Sequence, residues 1–170
     1  MKKIALFLAF IGMITLQSCS TNDSAQNAID NDTISEVWEF NNNVNFLASN
    51  NYNVTLNFPH EIYSSDMVLI YRLDDIVNGQ DVWKLLPQTF YFNDGTLDFR
   101  YDFDFTKFKA NVYLDGFDLE GISLDFRTNQ ILRVVVVPGY FGKNNALKTT
   151  DYNAVIKALN IDETKIKKIN

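Results

Sequence analysis

The chain has 170 residues, of which 46% are hydrophobic and 14% aromatic, and its formal charge at pH 7 is −6. This composition can bury a substantial core, which excludes a wholly disordered chain, and the length is that of one domain. The acidic balance argues against nucleic-acid binding, because phosphate contacts need clustered Lys and Arg. Cys19 is the single cysteine, so an intramolecular disulfide and a cysteine-based metal site are excluded.

The N-terminal stretch has the layout of a secretory signal. Lys2 and Lys3 precede an apolar run over residues 4–16, and Leu16-Gln17-Ser18-Cys19 follows. An aliphatic residue three places before a cysteine resembles the bacterial lipobox. That resemblance implies that residues 1–18 are a lipoprotein signal peptide and that Cys19 is lipidated. It also implies attachment to a membrane through the N-terminal lipid, in the cell envelope, with the outer membrane as the expected site.

Residues 19–35 are polar and acidic, and we expect them to form a flexible tether after the lipidated cysteine. Ser24 lies in Asp-Ser-Ala and Thr33 in Asp-Thr-Ile. Both tripeptides resemble the acceptor used for O-glycosylation of exported proteins in the Bacteroidota. The alternative is that a polar tether contains such tripeptides by chance.

From Glu36 onward the apolar residues recur with a period of two, which is typical of β-strands. Asn78-Gly79 is a strong hairpin signal, because a type I′ turn needs two residues that tolerate positive φ. The continuous apolar runs at 67–71 and 131–137 predict strands covered on both faces, the second at the centre of a sheet. The pattern predicts strands over residues 38–46, 52–58, 67–71, 80–86, 89–92, 97–105, 108–114 and 131–137.

One segment favours a helix. Asp151 is a good N-cap, and Tyr152, Val155, Ile156 and Leu159 form an apolar stripe that we expect to dock on a sheet. The tail at 165–168 is expected to be frayed and solvated.

Together these patterns predict an all-β domain over residues 36–170, an immunoglobulin-like two-sheet β-sandwich of about eight strands with a short C-terminal helix. A sheet closed on itself is the alternative.

Few residues could carry catalytic chemistry. His60 is the sole histidine and follows Pro59, where a polar loop residue is the simpler interpretation than a base or ligand. Asp98, Asp102 and Asp104 share one face of a predicted strand with Arg100 among them. Paired acids for hydrolysis are one hypothesis for them, but strand alternation alone explains them as a solvated face.

Two binding hypotheses remain open. Asp115, Asp118 and Glu120 lie in a short loop with two glycines and could offer oxygen ligands to calcium, although a bare acidic turn is the simpler interpretation. Exposed rings could instead stack on sugars, and the candidates are Trp83, Tyr63 and the loop at 139–142. A chain this aromatic uses most of its rings as core.

Four stretches carry a likeness to other proteins: Tyr71-Arg72-Leu73, the residues 77–83 and 86–89, and the residues 151–155. In these the chain resembles a group of small, uncharacterised exported lipoproteins from flavobacteria and relatives, over most of residues 36–161. Some members carry the name dihydrolipoamide dehydrogenase, which these residues contradict. A flavin disulfide reductase needs a glycine-rich turn opening a βαβ unit and two redox cysteines. The resemblance implies export and a lipid anchor, and assigns no functional residues.

The sequence thus predicts a lipid-anchored, non-enzymatic envelope lipoprotein that acts by interaction or in a structural role, without a cofactor. Its partner would be a protein or a glycan of the envelope. The alternative is a ligand-binding module for glycans or calcium, built on the loop at 115–121 or on exposed rings.

Overall fold

The computed structural model describes residues 34–144 and 147–169. Within these ranges, nine strands are formed: β1 (Glu36–Phe40), β2 (Asn53–Asn57), β3 (Met67–Val77), β4 (Gln80–Leu85), β5 (Gln88–Tyr91), β6 (Leu97–Phe105), β7 (Lys109–Gly116), β8 (Leu132–Val137) and β9 (Lys167–Ile169). The helices are α1 (Leu124–Arg127), α2 (Gly139–Asn144) and α3 (Tyr152–Ala158), with 3₁₀ turns at Ala48–Asn50 and Glu163–Lys165. None of these described helices is long and apolar enough to cross a membrane.

The strands form two separate sheets, which confirms the predicted two-sheet β-sandwich. The five-stranded sheet has the order β4-β3-β8-β1-β9, and the four-stranded sheet has the order β2-β7-β6-β5. All pairs are antiparallel except β1 with β9. The analogy with immunoglobulin domains is one of architecture, because their constant-type strand order, ABED facing CFG, is not the order found here.

The main core lies between the sheets and follows from the period-two pattern. In the five-stranded sheet Trp38, Ile70 and Val134 point inward, and in the four-stranded sheet Tyr101 and Val112 meet them. All five are almost completely buried. Burial of these large apolar side chains is the main stabilising contribution to the fold.

A second core covers the outer face of the five-stranded sheet. Leu69 and Tyr71 of β3 and Val135 and Val137 of β8 point to this side and pack against Tyr152, Val155 and Ile156 of α3. The carboxylate of Asp151 accepts a hydrogen bond from the Ala154 N–H at 3.1 Å, so the predicted N-cap is present. Both apolar runs are therefore buried on their two faces, as predicted.

The sandwich has two ends, which we name from the path of the chain. At the entry end β1 and β3 begin, β8 ends, and the β6–β7 turn at 106–108 lies beside the β2–β3 connection at 58–66. At the far end lie the β3–β4 hairpin, the β5–β6 turn at 92–96 and the loop at 117–121. Asn78 and Gly79 have φ values of 53° and 77°, which confirms the predicted hairpin turn.

The prediction of a frayed tail is wrong. Lys167–Ile169 forms β9, which pairs in parallel with Trp38–Phe40 of β1. Alternation cannot be recognised over three residues, and the lysines at 165, 167 and 168 gave the segment a solvated character. The pairing is tertiary in origin, because it depends on where β1 lies rather than on the local sequence.

Candidate functional site

Arg133 is the centre of a charged network on the outer face of the five-stranded sheet. It stands directly opposite Glu39 in the β1–β8 register. Its guanidinium donates to one Glu39 carboxylate oxygen from Nε at 3.0 Å and lies 2.9 Å from it through Nη2. Nη1 donates to Glu163 at 2.8 Å and to the Tyr152 hydroxyl at 2.5 Å. The arrangement ties β1, β8, α3 and the C-terminal segment together.

The network also fixes the position of Trp83. The Arg133 guanidinium carbon lies 4.1 Å from the centre of the Trp83 ring, and the Tyr152 ring packs 5.5 Å from it. Trp83 is only 8% exposed, so the hypothesis that it is an exposed platform for sugars is wrong. Its ring is covered because the residues at 83 and 133 share the face on which α3 docks.

Electrostatics hold Arg133 charged. Burial alone would lower its pKa, but Tyr152 and the Glu39 carboxylate outweigh that effect and raise it. Burial in turn raises the pKa of the Tyr152 hydroxyl, which stays neutral as a hydrogen-bond donor and acceptor. A cleft of about 430 Å³ adjoins the network, between Ile76, Asp81, Thr164 and Lys168. Four charged groups of its wall are paired with one another, namely Glu39, Arg133, Glu163 and Lys168, and these pairs hold the C-terminal segment on the sheet.

Arg72 forms a second network inside the sandwich. It continues the inward register of β3, and its side chain is 4% exposed. Nε donates to Gln88 at 3.0 Å and Nη1 to Gln130 at 3.1 Å, while Nη2 pairs with Asp74. The guanidinium lies 5.0 Å from the centre of the Tyr101 ring. Each nitrogen has a partner, so this arginine closes the far end of the core rather than presenting a binding group.

His60 lies at the entry end and is engaged by Glu36. Its Nε2 lies 2.9 Å from a Glu36 carboxylate oxygen, and the Trp38 indole nitrogen donates to the same carboxylate at 3.1 Å. Hydrogen bonds to the Glu61 carbonyl and to Glu36 raise the pKa of His60 above its usual value. The side chain is 54% exposed, so this is a surface ion pair. It links the β2–β3 connection to the start of β1.

The carboxylates of β6 form ladders with neighbouring strands. Arg100 pairs with Asp115 at 2.9 Å and with Asp102 at 3.6 Å, and Asp104 accepts a hydrogen bond from Asn111 at 2.9 Å. This outer face of the four-stranded sheet is open and polar. Its contacts are the cross-strand pairs that stabilise sheets, which agrees with the interpretation as a solvated face.

The structure separates the three residues proposed for calcium. Asp115 belongs to the end of β7 and pairs with Arg100, while Asp118 Oδ1 accepts the Gly121 N–H at 3.1 Å within the loop. Within residues 34–144 and 147–169, no three Asp, Glu, His or Cys side chains come together as a metal site needs. The loop at 117–121 is thus held by its own hydrogen bonds. Calcium binding by Asp115, Asp118 and Glu120 stays a prediction.

The predicted modification sites, Cys19, Ser24 and Thr33, lie outside the described residues.

The rings proposed for sugar stacking differ in their exposure to solvent. Tyr63 and Tyr140 are exposed, both at the entry end, whereas Trp83 is buried.

An exposed apolar cluster lies at the far end, and it was not among the sites predicted from the sequence. Phe117 is 92% exposed, and its N–H donates to the Asp98 carbonyl at 3.3 Å, which places it beside the start of β6. Tyr91 and Leu97 face each other across β5 and β6, and Phe92 closes their turn. All four side chains are exposed. We call Tyr91, Phe92, Leu97 and Phe117 the far-end cluster.

Carboxylates surround the far-end cluster. Asp94, Asp98, Asp118 and Glu120 lie on the same turns. The signal in the sequence was an aromatic residue inside an acidic loop, at Gly116-Phe117-Asp118, where no strand partner could bury it.

Searches among family models, curated proteins and solved structures find nothing that matches this chain.

Proposed function

We propose that the protein is a lipid-anchored, non-enzymatic lipoprotein of the cell envelope that acts by contact with a protein partner. The leader and Cys19 support the anchor, which would hold the domain at a membrane through residues 19–35. The far-end cluster supports the mode of action, because it lies at the end of the sandwich opposite the point where the chain enters.

The exposure of Phe117 is the observation that carries this proposal. A phenylalanine that is 92% exposed next to three other exposed apolar side chains gains about 1.5–3 kcal/mol when it is buried against a partner. Clustered apolar side chains with a polar rim are typical of protein interaction sites. The rim here is acidic, so the complementary partner surface is apolar with Lys or Arg around it.

The use of charged side chains supports a non-enzymatic role. Arg133 and Glu39 pair with each other, Arg72 is enclosed by Gln88, Gln130 and Asp74, and His60 bonds Glu36. These contacts join strands and connections to one another. The hydrogen-bond partners of His60 are a carboxylate and a backbone carbonyl, and no serine, threonine or cysteine hydroxyl or thiol is among them in the described part of the chain.

The alternative of a glycan- or calcium-binding module receives less support. Trp83, the largest ring proposed for sugar stacking, is buried beneath Arg133. Asp115 is paired with Arg100, which weakens its availability as a metal ligand. Tyr63 and Tyr140 remain exposed at the entry end, so the sugar-stacking alternative now depends on these two rings.

Photocrosslinking in cells tests the proposed mode of action. A photoreactive phenylalanine analogue at position 117 should form a discrete adduct with one envelope protein. Position 108 is a matched control, because Phe108 is also an exposed phenylalanine in a turn, at the opposite end. Leu97→Asp should abolish the adduct from position 117, since it places a charge in the cluster.

Two results would contradict this account. One is the absence of any protein adduct at position 117 while the protein is present in the membrane fraction. The other is the same set of adducts from positions 117 and 108, which would indicate non-specific contacts of exposed rings.

A further inference from the structure

The entry end carries a second group of exposed apolar side chains, which the proposed partner contact does not use. They come from the segment before β1, the β2–β3 connection, the β6–β7 turn and the start of α2. The side chains are Ile34, Tyr63, Met67, Phe105, Phe108 and Tyr140. We call this set the entry-end surface.

Backbone contacts bring these segments together into one surface. The Ile62 N–H donates to the Lys107 carbonyl at 2.9 Å, and the Phe58 N–H donates to the Phe108 carbonyl at 2.8 Å. Ile34 and Tyr63 line the same cleft of about 240 Å³. A Cβ placed on Gly139 would lie 2.5 Å from the Ser65 carbonyl oxygen, so the chain after β8 packs directly on the β2–β3 connection.

Two carboxylates of the entry end lie against basic side chains. Glu61 pairs with Lys107 at 3.0 Å, and Glu36 pairs with His60 at 2.9 Å. Asp66 accepts the Tyr63 N–H at 2.9 Å. The far end differs, because Asp94, Asp118 and Glu120 on its turns and Asp98 at the start of β6 take part in none of the ion pairs found among residues 34–144 and 147–169. An anionic lipid surface would therefore repel the far end more than the entry end.

The length of chain between the anchor and the domain limits where this surface can be. Fourteen residues separate Cys19 from Ile34. Fully extended they span about 50 Å, and a flexible chain of that length has a root-mean-square span of about 20 Å. This step rests on the proposed lipidation of Cys19. The tether joins the domain at the entry end, so that end is the one kept near the lipid.

We propose that the entry-end surface docks on the bilayer to which the protein is anchored. The rings of Tyr63, Phe108 and Tyr140 enter the interface between headgroups and acyl chains, where amphipathic and aromatic side chains are favoured. Lys107 lies beside them, and its ion pair with Glu61 reduces the repulsion between that carboxylate and the lipid phosphates. Docking in this orientation directs the far-end cluster away from the membrane, toward its partner.

Site-specific labelling of the full-length, acylated protein tests this inference. Cys19 is the only native cysteine and its thiol is blocked when it carries the lipid, so an introduced cysteine is the single reactive thiol. The matched variants are Phe108→Cys and Phe117→Cys, two exposed phenylalanines at opposite ends of the sandwich. Each is labelled with an environment-sensitive fluorophore. The proteins are then reconstituted in vesicles of phosphatidylethanolamine and phosphatidylglycerol.

The label at position 108 should shift to shorter wavelength, and lipids brominated on their acyl chains should quench it several-fold more than the label at 117. Tyr63→Cys is a second reporter that should behave like position 108. Equal quenching at 108 and 117 overturns the inference, because both ends would then contact the lipid and the domain would have no preferred orientation. Excimers between pyrene labels at position 108 without lipid quenching also overturn it, since the surface would then be occupied by a second copy.

Failure of the anchor gives a different result from failure of docking. If the protein floats with the vesicles but position 108 is not quenched, anchoring stands and docking is wrong. If the wild-type protein does not float with the vesicles at all, the proposed lipid attachment is wrong, and the docking inference falls with it.

Discussion

Arg133 and Glu39 face each other across β8 and β1, on the side of the sheet that α3 covers. Their side chains are 11% and 9% exposed, so neither charge is well solvated. The pair is stabilising only while both members are present, because removal of one leaves an uncompensated buried charge. Glu163 and Tyr152 complete the hydrogen bonding of the guanidinium. The role of Arg133 is thus to join the sheet to the C-terminal segment.

Arg133→Met should lower the free energy of unfolding by about 3 kcal/mol, at the low end of the range for a broken buried pair because Lys168 stays 3.5 Å from Glu39. Glu163→Gln is the control and should cost about 1 kcal/mol or less, since that carboxylate is half exposed. Urea denaturation measures both. Adding Glu39→Gln to Arg133→Met should recover part of the loss. Equal losses of stability in Arg133→Met and Glu163→Gln would contradict the inferred structural role of the buried Arg133–Glu39 pair.

His60 should make stability depend on pH. Its pKa is raised above 6.5 in the folded protein by the Glu61 carbonyl and by Glu36. The stabilisation is therefore fully present below pH 6.5 and is lost as the pH rises through the folded pKa. The pair is exposed, so its contribution is about 0.2–1 kcal/mol.

The measurement compares urea midpoints at about pH 5.5 and about pH 8.5 for wild type and His60→Gln. The wild type should lose more stability than the variant on going to the higher pH. Parallel changes in the two proteins would show that the pair with Glu36 contributes nothing.

At the scale of elements, β8 is the strand on which both cores depend. Val134 and Val136 point into the core between the sheets, and Val135 and Val137 point into the core under α3. Pairing with β1 on one side and β3 on the other leaves it no free edge. A strand enclosed in this way tolerates no charge at any of the four positions.

Val134→Asp and Val135→Asp should each destabilise the domain by several kcal/mol, out of a total of about 5–15 kcal/mol for a domain of this kind. The control is Lys84→Asp on the edge strand β4, an exposed position where a change of about 0.5 kcal/mol or less is expected. Thermal melting distinguishes them. A wild-type melting temperature for either valine variant would mean that one face of β8 is not buried.

The elements that the sequence predicts are those with long periodic patterns. Eight strands and α3 follow from alternation, from the continuous apolar runs at 67–71 and 131–137, from Asn78-Gly79 and from the Asp151 cap, although the first strand ends at Phe40 and not at residue 46. The short elements were missed: α1 and α2 are too brief for a helical period, and β9 is a lysine-rich strand of three residues. Each of these depends on a partner elsewhere in the fold, which local sequence does not encode.

The candidate surfaces were harder to predict than the fold, for a related reason. Phe108 continues the alternation of Ala110 and Val112, yet it is exposed because it lies in the turn before β7, and Phe117 is exposed in the loop after β7. Trp83 was predicted to be exposed but is buried, because Arg133 and α3 cover its ring. Exposure at a strand end is decided by what packs there, not by the alternation itself.

At the scale of the whole molecule, the described domain has two chemically distinct ends. The entry end combines exposed apolar side chains with the ion pairs of Glu61 and Glu36, and the far end combines the far-end cluster with carboxylates that take part in no ion pair among the described residues. This polarity fits a protein held to a membrane at one end and to a partner at the other. The anchor comes first, because the orientation of both ends follows from it.

Metabolic labelling with a clickable fatty acid tests the anchor most directly. The account predicts that the wild-type protein is labelled and recovered in the membrane fraction. Cys19→Ser should be unlabelled, and should either be released from membranes or keep its leader, because no other thiol is present. A wild-type protein that is expressed and exported but carries no label would contradict the central claim.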